Sequence, residues 1–124
     1  MEQIKVKNIE IVAMDDKDYA VHLDEIYKKV KERKGQSEER IVLHSISDLN
    51  KILTPQRYRL ICMLKKKKPR SINILAKLLG RDRANVQRDL KYLEGLGLVS
   101  LEEHKLETTP TFNFEKILVE ISVT

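Results

Sequence analysis

Arg83, Asn85, Gln87, Arg88 and Lys91 are the residues of this chain best suited to chemistry, and that chemistry is recognition. An arginine can donate two hydrogen bonds to guanine O6 and N7, while asparagine or glutamine can pair with adenine N6 and N7. A lysine suits phosphate. Their spacing leaves Val86, Leu90 and Leu93 as an apolar stripe that a helix would bury, which turns the five polar side chains to the opposite face. Ordinary helices also carry charge outward, so the surrounding charge decides how this face is read. Residues 54–92 hold twelve Lys and Arg against only Asp82 and Asp89, a net +10, whereas the rest of the chain sums to −5. Positive charge concentrated in this way favours a polyanion, because neutralising phosphates releases condensed counterions.

The elements that must position these side chains are legible on either side. Ile72, Leu75, Ala76 and Leu79 form an i, i+3, i+4, i+7 stripe, with Ser71 as an N-cap and Gly80 suited to the left-handed turn that ends the helix. Asp82 can cap the following helix, 83–95, which closes on Leu96 and is stopped by Gly95 and Gly97. Two short helices joined by a glycine turn, the second rich in Arg, Asn and Gln, have the layout of a helix-turn-helix that offers its second helix to the major groove. Upstream, Thr54-Pro55 is a strong helix start, and that helix should run to about Lys66 with Tyr58, Ile61, Cys62 and Leu64 inward, before Pro69 stops it. Before it, Ser47–Leu53 reads as one or two helical turns burying Leu49, Ile52 and Leu53. The run Lys65–Lys68 and Arg70 sits just ahead of the capped helix, where phosphate contacts would anchor it. Downstream, Leu98–Glu102 and Thr109–Phe114 suit a hairpin wing with its tip at Glu103–Thr108.

The ends of the chain add more than a minimal DNA-binding module needs. Ile4 and Val6, then Ile9, Ile11 and Ala13, alternate as in a strand, with a phase change near Lys7-Asn8 that suggests a bulge. A helix of about residues 16–34, capped by Asp15 or Asp16 and ended by Gly35, carries Tyr19, Leu23, Ile26, Tyr27 and Val30 on one face. The loop Gln36–Arg40 and a strand Ile41–Ile46 follow, and the tail alternates at Ile117, Val119, Ile121 and Val123, as a strand with one buried face would. The expected fold class is therefore α+β: a winged helix-turn-helix (three-helix core plus hairpin wing) over 47–116, a strand-helix-strand extension over 1–46, and a C-terminal strand over 117–124. The apolar faces of the terminal elements can pack on the core or form a dimer interface. The dimer is favoured, since helix-turn-helix proteins commonly read paired half-sites about 34 Å apart.

Thr54-Pro55-x-Arg57, Ser71-Ile72-x-x-Leu75-Ala76, Gly80-Arg81-Asp82-x-x-Asn85-Val86-x-x-Asp89-Leu90-x-x-Leu93 and Gly97-Leu98-Val99 together resemble a group of small prokaryotic predicted transcriptional regulators, distant relatives of the MarR and ArsR winged-helix proteins. The resemblance is specific over residues 54–99 and sharpest at Gly80-Arg81-Asp82 with Asn85-Val86. It implies sequence-specific binding of double-stranded DNA by the second helix and the wing, usually as a homodimer, and some such proteins are thought to be antitoxins repressing their own operon. Carried over, Arg83, Asn85, Gln87 and Arg88 take recognition-helix positions, and Arg81 takes the turn, where the motif match leaves open DNA or a neighbouring carboxylate as its partner. The segment Glu102–Glu107 departs from the pattern, being acidic where many wings carry Arg or Lys; His104 and Lys105 are its plausible contacts. The full expected contact set is Lys67, Lys68, Arg70, Ser71, Arg81, Arg83, Asn85, Gln87, Arg88, Lys91, His104 and Lys105.

Other function classes find little support. His22, His44 and His104 are scattered and none stands at metal-ligand spacing, so no metal or cofactor is expected. Asp15, Asp16 and Asp18 suit helix capping, and no glycine-rich phosphate loop or nucleophile elbow is present, so no enzyme is expected. Cys62 is the single cysteine, cannot form an internal disulfide, and fits a reducing cytoplasm; as a residue of an apolar helix it reads as packing rather than as a redox sensor. No apolar run approaches the ~18 residues of a membrane span, and no signal-peptide pattern opens the sequence. RNA reading is disfavoured by the lack of an aromatic-rich stacking sheet. The expected function is a dimeric transcriptional regulator, a repressor, with helix 83–95 in the major groove. The alternative is an antitoxin or winged-helix interaction module whose terminal elements bind a partner protein, a toxin or another regulator.

Overall fold

The computed structural model describes residues 8–14 and 39–123, and the elements lie in two compact units. The strand expected at Ile4 and Val6, the bulge beside it, the helix of 16–34 and His22 fall outside the described residues.

The first unit is built on a three-stranded parallel sheet of order β2-β1-β5, where β1 is Asn8–Ala13, β2 is Glu39–Leu43 and β5 is Lys116–Ile121. In the centre, β1 is paired on both edges, Ile9 to Ala13 with Glu39 to Leu43 and Asn8 to Ala13 with Lys116 to Ile121. The sequence predicts alternation here, yet Ile9, Glu10, Ile11, Val12 and Ala13 are all buried. A central parallel strand is shielded on both faces, so its pattern loses the period of two. Glu10 is accommodated because Arg40 stands directly opposite it, with Nε donating to Oε2 at 3.2 Å. The terminal strands thus pair with each other inside one chain, and the tail, expected as a strand that either dimerises or completes a sheet, is the third strand of the N-terminal sheet.

β2 ends at Leu43, short of the expected Ile46, because Ser45 turns the chain into a helix: its hydroxyl accepts the Asp48 N–H at 3.2 Å. That helix, α1 (Ile46–Ile52), buries Leu49 and Ile52 but leaves Leu53 only half-buried.

The second unit, 52–113, contains three helices and a hairpin. Helix α2 (Pro55–Lys67) starts as expected, with Thr54 Oγ1 accepting the Arg57 N–H at 3.1 Å. Its inward stripe is Leu60, Ile61 and Leu64; Cys62 is half-buried, and Tyr58, expected inward, is 61% exposed. The reason is phase: 60, 61 and 64 set the buried arc, and position 58 lies outside it. The helix ends on Lys68, which takes a left-handed conformation (φ 46°) ahead of Pro69. Helix α3 (Ile72–Leu79) buries Ile72, Leu75, Ala76 and Leu79. Ser71 Oγ accepts the Ile74 N–H at 3.1 Å, and Gly80 (φ 63°) supplies the left-handed exit that costs other residues ~1–2 kcal/mol.

Helix α4 (Arg83–Gly95) buries Val86, Leu90 and Leu93, while Leu96 is half-buried. Asp82 sits at its N-cap, but its side chain makes no capping hydrogen bond there, contrary to expectation. Gly95 remains helical; Gly97, at φ 80°, makes the turn, and Leu98 N–H reaches back to the Leu93 carbonyl at 3.0 Å. Strands β3 (Val99–Glu103) and β4 (Thr108–Phe112) form the antiparallel hairpin, one residue shifted from its expected start, with His104 N–H closing the tip on the Glu107 carbonyl at 2.8 Å. Within this unit α2 packs on α3 and β4, and α4 packs on α3 and β3, so the hairpin and all three helices share one apolar core. The chain is an α+β protein with two small sheets. Among the described residues no helix is long and apolar enough to cross a membrane.

Candidate nucleic-acid interface

Burial of Val86, Leu90 and Leu93 fixes the rotation of α4, and what remains outward is Arg83, Asn85, Arg88 and Lys91, all exposed, with Gln87 half-buried at the margin. These side chains are paired among themselves. Arg83 Nη1 donates to Gln87 Oε1 at 2.9 Å, and Arg88 Nη2 donates to Asn85 Oδ1 at 2.5 Å. Arg88 Nε also reaches the Ala84 carbonyl at 3.5 Å, and Lys91 stands 3.8 Å from Glu94. Such i, i+3 and i, i+4 pairs hold solvent-facing side chains in order but are worth only a few tenths of a kcal/mol, so they exchange readily for a ligand.

Beyond the Asp82 carboxylate at its N-cap, the helix does little to match its own dipole. No acidic residue lies in its first turn and no basic one in its last, although carboxylates near the start and cations near the end would stabilise it. Arg83 occupies the first helical position, where the local potential is already positive. α2 and α3 likewise lack an acidic first turn. Their last turns, however, are basic, with Lys65–Lys67 and Lys77, and so suit the dipole.

Arg81 does not belong to this face. Its guanidinium is 17% exposed, with Nη1 2.8 Å from Asp89 Oδ2, and Arg57 Nε donates to the other oxygen, Oδ1, at 3.1 Å. Arg57 in turn lies over the Tyr92 ring, 4.0 Å from its centroid, a cation–π contact. One carboxylate therefore bridges two arginines, one oxygen to each, and ties α2, the turn and α4 together. Of the two partners the motif allowed Arg81, the structure places it on the carboxylate. Ser71 is likewise buried, its hydroxyl engaged by the Ile74 N–H, and it serves its helix.

The remaining expected residues lie at the edges. Lys67 and Lys68 are exposed at the end of α2. Arg70 is exposed but 3.4 Å from Glu107, and its carbonyl accepts the Thr109 hydroxyl at 2.7 Å, which fastens the hairpin to the α2–α3 connection. His104 and Lys105 are exposed at the hairpin tip beside Leu106, which is 99% exposed. Glu102 and Glu103 are exposed as well, so the tip carries mixed charge. A shallow cleft of about 410 Å³ opens at the α3–α4 turn, lined by Asn73, Ala76, Lys77, Gly80, Arg81, Asp82 and Arg83. Asn73 and Lys77 were absent from the expected set. Their signal was their i, i+4 spacing on the outward face of α3, directly before the turn. On α2, the Cys62 side chain hydrogen-bonded to the Tyr58 phenol pushes the phenol's pKa above its ordinary value. Among the described residues no group of three His, Cys, Asp or Glu could hold a metal ion.

No curated protein matches the chain. The HVO_A0114 family model does match, over residues 52–119, a stretch that takes in α2, α3, α4, the hairpin and the start of β5. With more than half of its length matched, the chain belongs to the HVO_A0114 family.

Proposed function

We propose that this protein binds double-stranded DNA sequence-specifically, as a dimeric transcriptional regulator that represses. In this reading the second unit is a winged helix-turn-helix: α4 enters the major groove, and the β3–β4 hairpin is the wing. The observation that carries it is the outward face of α4, where Arg83, Asn85, Arg88 and Lys91 stand opposite the buried Val86, Leu90 and Leu93 within a segment of net charge +10. Arg88 and Asn85 are the residues for base edges, since they combine exposure with bidentate geometry; Lys67, Lys68, Lys77 and Lys91 suit phosphates. With its one cysteine free, the protein suits a reducing cytoplasm.

The test is an electrophoretic shift on the DNA immediately upstream of its own gene, against random DNA of equal length. Wild type should bind the upstream DNA at least tenfold more tightly, and Arg83→Ala/Arg88→Ala should lose that preference, each bidentate base contact being worth about 1–3 kcal/mol. Equal binding of both DNAs by wild type and variant would overturn the reading. A second reading, capture of a partner protein such as a toxin, draws on the hairpin tip, where the fully exposed Leu106 lies among side chains of mixed charge and no arginine.

A further inference from the structure

We propose that β5 is the docking edge for a second copy of this chain, pairing antiparallel with its own equivalent across a two-fold axis at Leu118. Among the described residues β5 ends the sheet, because its one partner is β1. The Ser122 N–H donates to the Ala13 carbonyl at 3.0 Å, so alternation turns the backbone groups of residues 116, 118 and 120 toward β1 and those of Ile117, Val119 and Ile121 outward. An outward row of donors and acceptors is a template for strand addition. The side chains on this edge are apolar and uncovered: Leu118 and Val119 are each 43% exposed and Ile121 is 51% exposed. Natural edges are usually blunted by Pro, by a bulge or by dense lysine, and the strand KILVEI carries only Lys116 toward that end.

The order of charges says what pairs there. In an antiparallel match about Leu118, Ile117 faces Val119 of the second copy as a hydrogen-bonded pair, and Leu118 faces its own equivalent. Lys116 then faces Glu120, twice, and these are the closer, non-hydrogen-bonded positions where cross-strand side chains interact most. The neighbouring registers that keep the backbone groups facing, centred on Ile117 or Val119, oppose Lys116 to Leu118 or to Ser122 and lose both charge pairs. The strand is complementary to itself in one register, which is what an isologous interface requires.

This inference takes from the proposed function only the second copy, and its test contains no DNA. Sedimentation equilibrium of the full chain should give a dimer. Lys116→Glu alone and Glu120→Lys alone, which set like charges opposite each other twice, should each weaken it about tenfold or more. The double exchange, Lys116→Glu with Glu120→Lys, should restore it. Val119→Pro removes an outward N–H without touching the β1 ladder and should give a folded monomer by circular dichroism. A wild-type chain that is monomeric throughout, or a dimer indifferent to every one of these changes, would overturn the proposal. The Arg83→Ala/Arg88→Ala variant should still dimerise, so failure of DNA recognition and failure of this interface are read separately.

Discussion

Asp89 shows how a single side chain can decide what its neighbours are for. Its two oxygens hold Arg57 and Arg81, and so engage the turn arginine whose partner the motif left open. Replacing it with alanine should leave two partly buried guanidinium groups without their counter-ion. The expected cost is about 2–3 kcal/mol, read from urea denaturation, with the midpoint falling at unchanged slope. Arg88→Ala, by contrast, should leave the denaturation curve within about 0.5 kcal/mol of wild type, because its partners are exposed and interchangeable. The two arginines look alike in the sequence. Arg81 lies in the same basic run as Arg83 and Arg88, and the carboxylate that separates their roles is eight residues on in sequence, beside Arg57 from another helix.

At the level of elements, local signals were read where the chemistry is local. Thr54 before Pro55, Ser71 before Ile72, Gly80 after Leu79 and the Val86-Leu90-Leu93 stripe each declare a helix end or face within a few residues, and all stand as the sequence implies. Two helix signals misled. Asp82 has the right residue type at the N-cap but makes no capping bond, and Tyr58 follows an apolar spacing yet faces solvent. Pairing was not legible, because alternation says that a segment is a strand but not which strand lies beside it. β1 and β5 are more than a hundred residues apart, and nothing in either names the other. The ion pair between Glu10 and Arg40 belongs to the same class, visible only once β1 and β2 are set in register. Glu10→Ala should cost about 3 kcal/mol in thermal or urea unfolding, since it strands a buried Arg40, and Glu10→Leu combined with Arg40→Leu should recover most of that loss. A single variant as stable as wild type would show that the pair contributes nothing to the sheet.

For the molecule as a whole, charge is partitioned by segment: +10 over residues 54–92, −5 over the rest. Binding to a polyanion through such a segment should fall steeply with salt. With about five phosphate contacts, affinity for any duplex should drop roughly a hundred- to thousandfold between 50 and 200 mM salt, in fluorescence anisotropy on random DNA. A flat salt dependence would mean that the basic segment meets no polyanion. Preference for one sequence over another should survive at high salt, since base contacts carry little of the counterion term.

The order in which the sheet of the first unit is assembled has a consequence for synthesis. β1 is made before the helices and hairpin of residues 52–113, and β5 after them. On a ribosome, the middle unit is therefore complete in sequence while β1 still lacks one of its two neighbours. A buried central strand with one edge open is a hazard for mispairing with another nascent chain. β5, made after the middle unit, is the strand that closes that edge, and a premature stop after Asn113 would release a finished middle unit attached to an unfinished sheet.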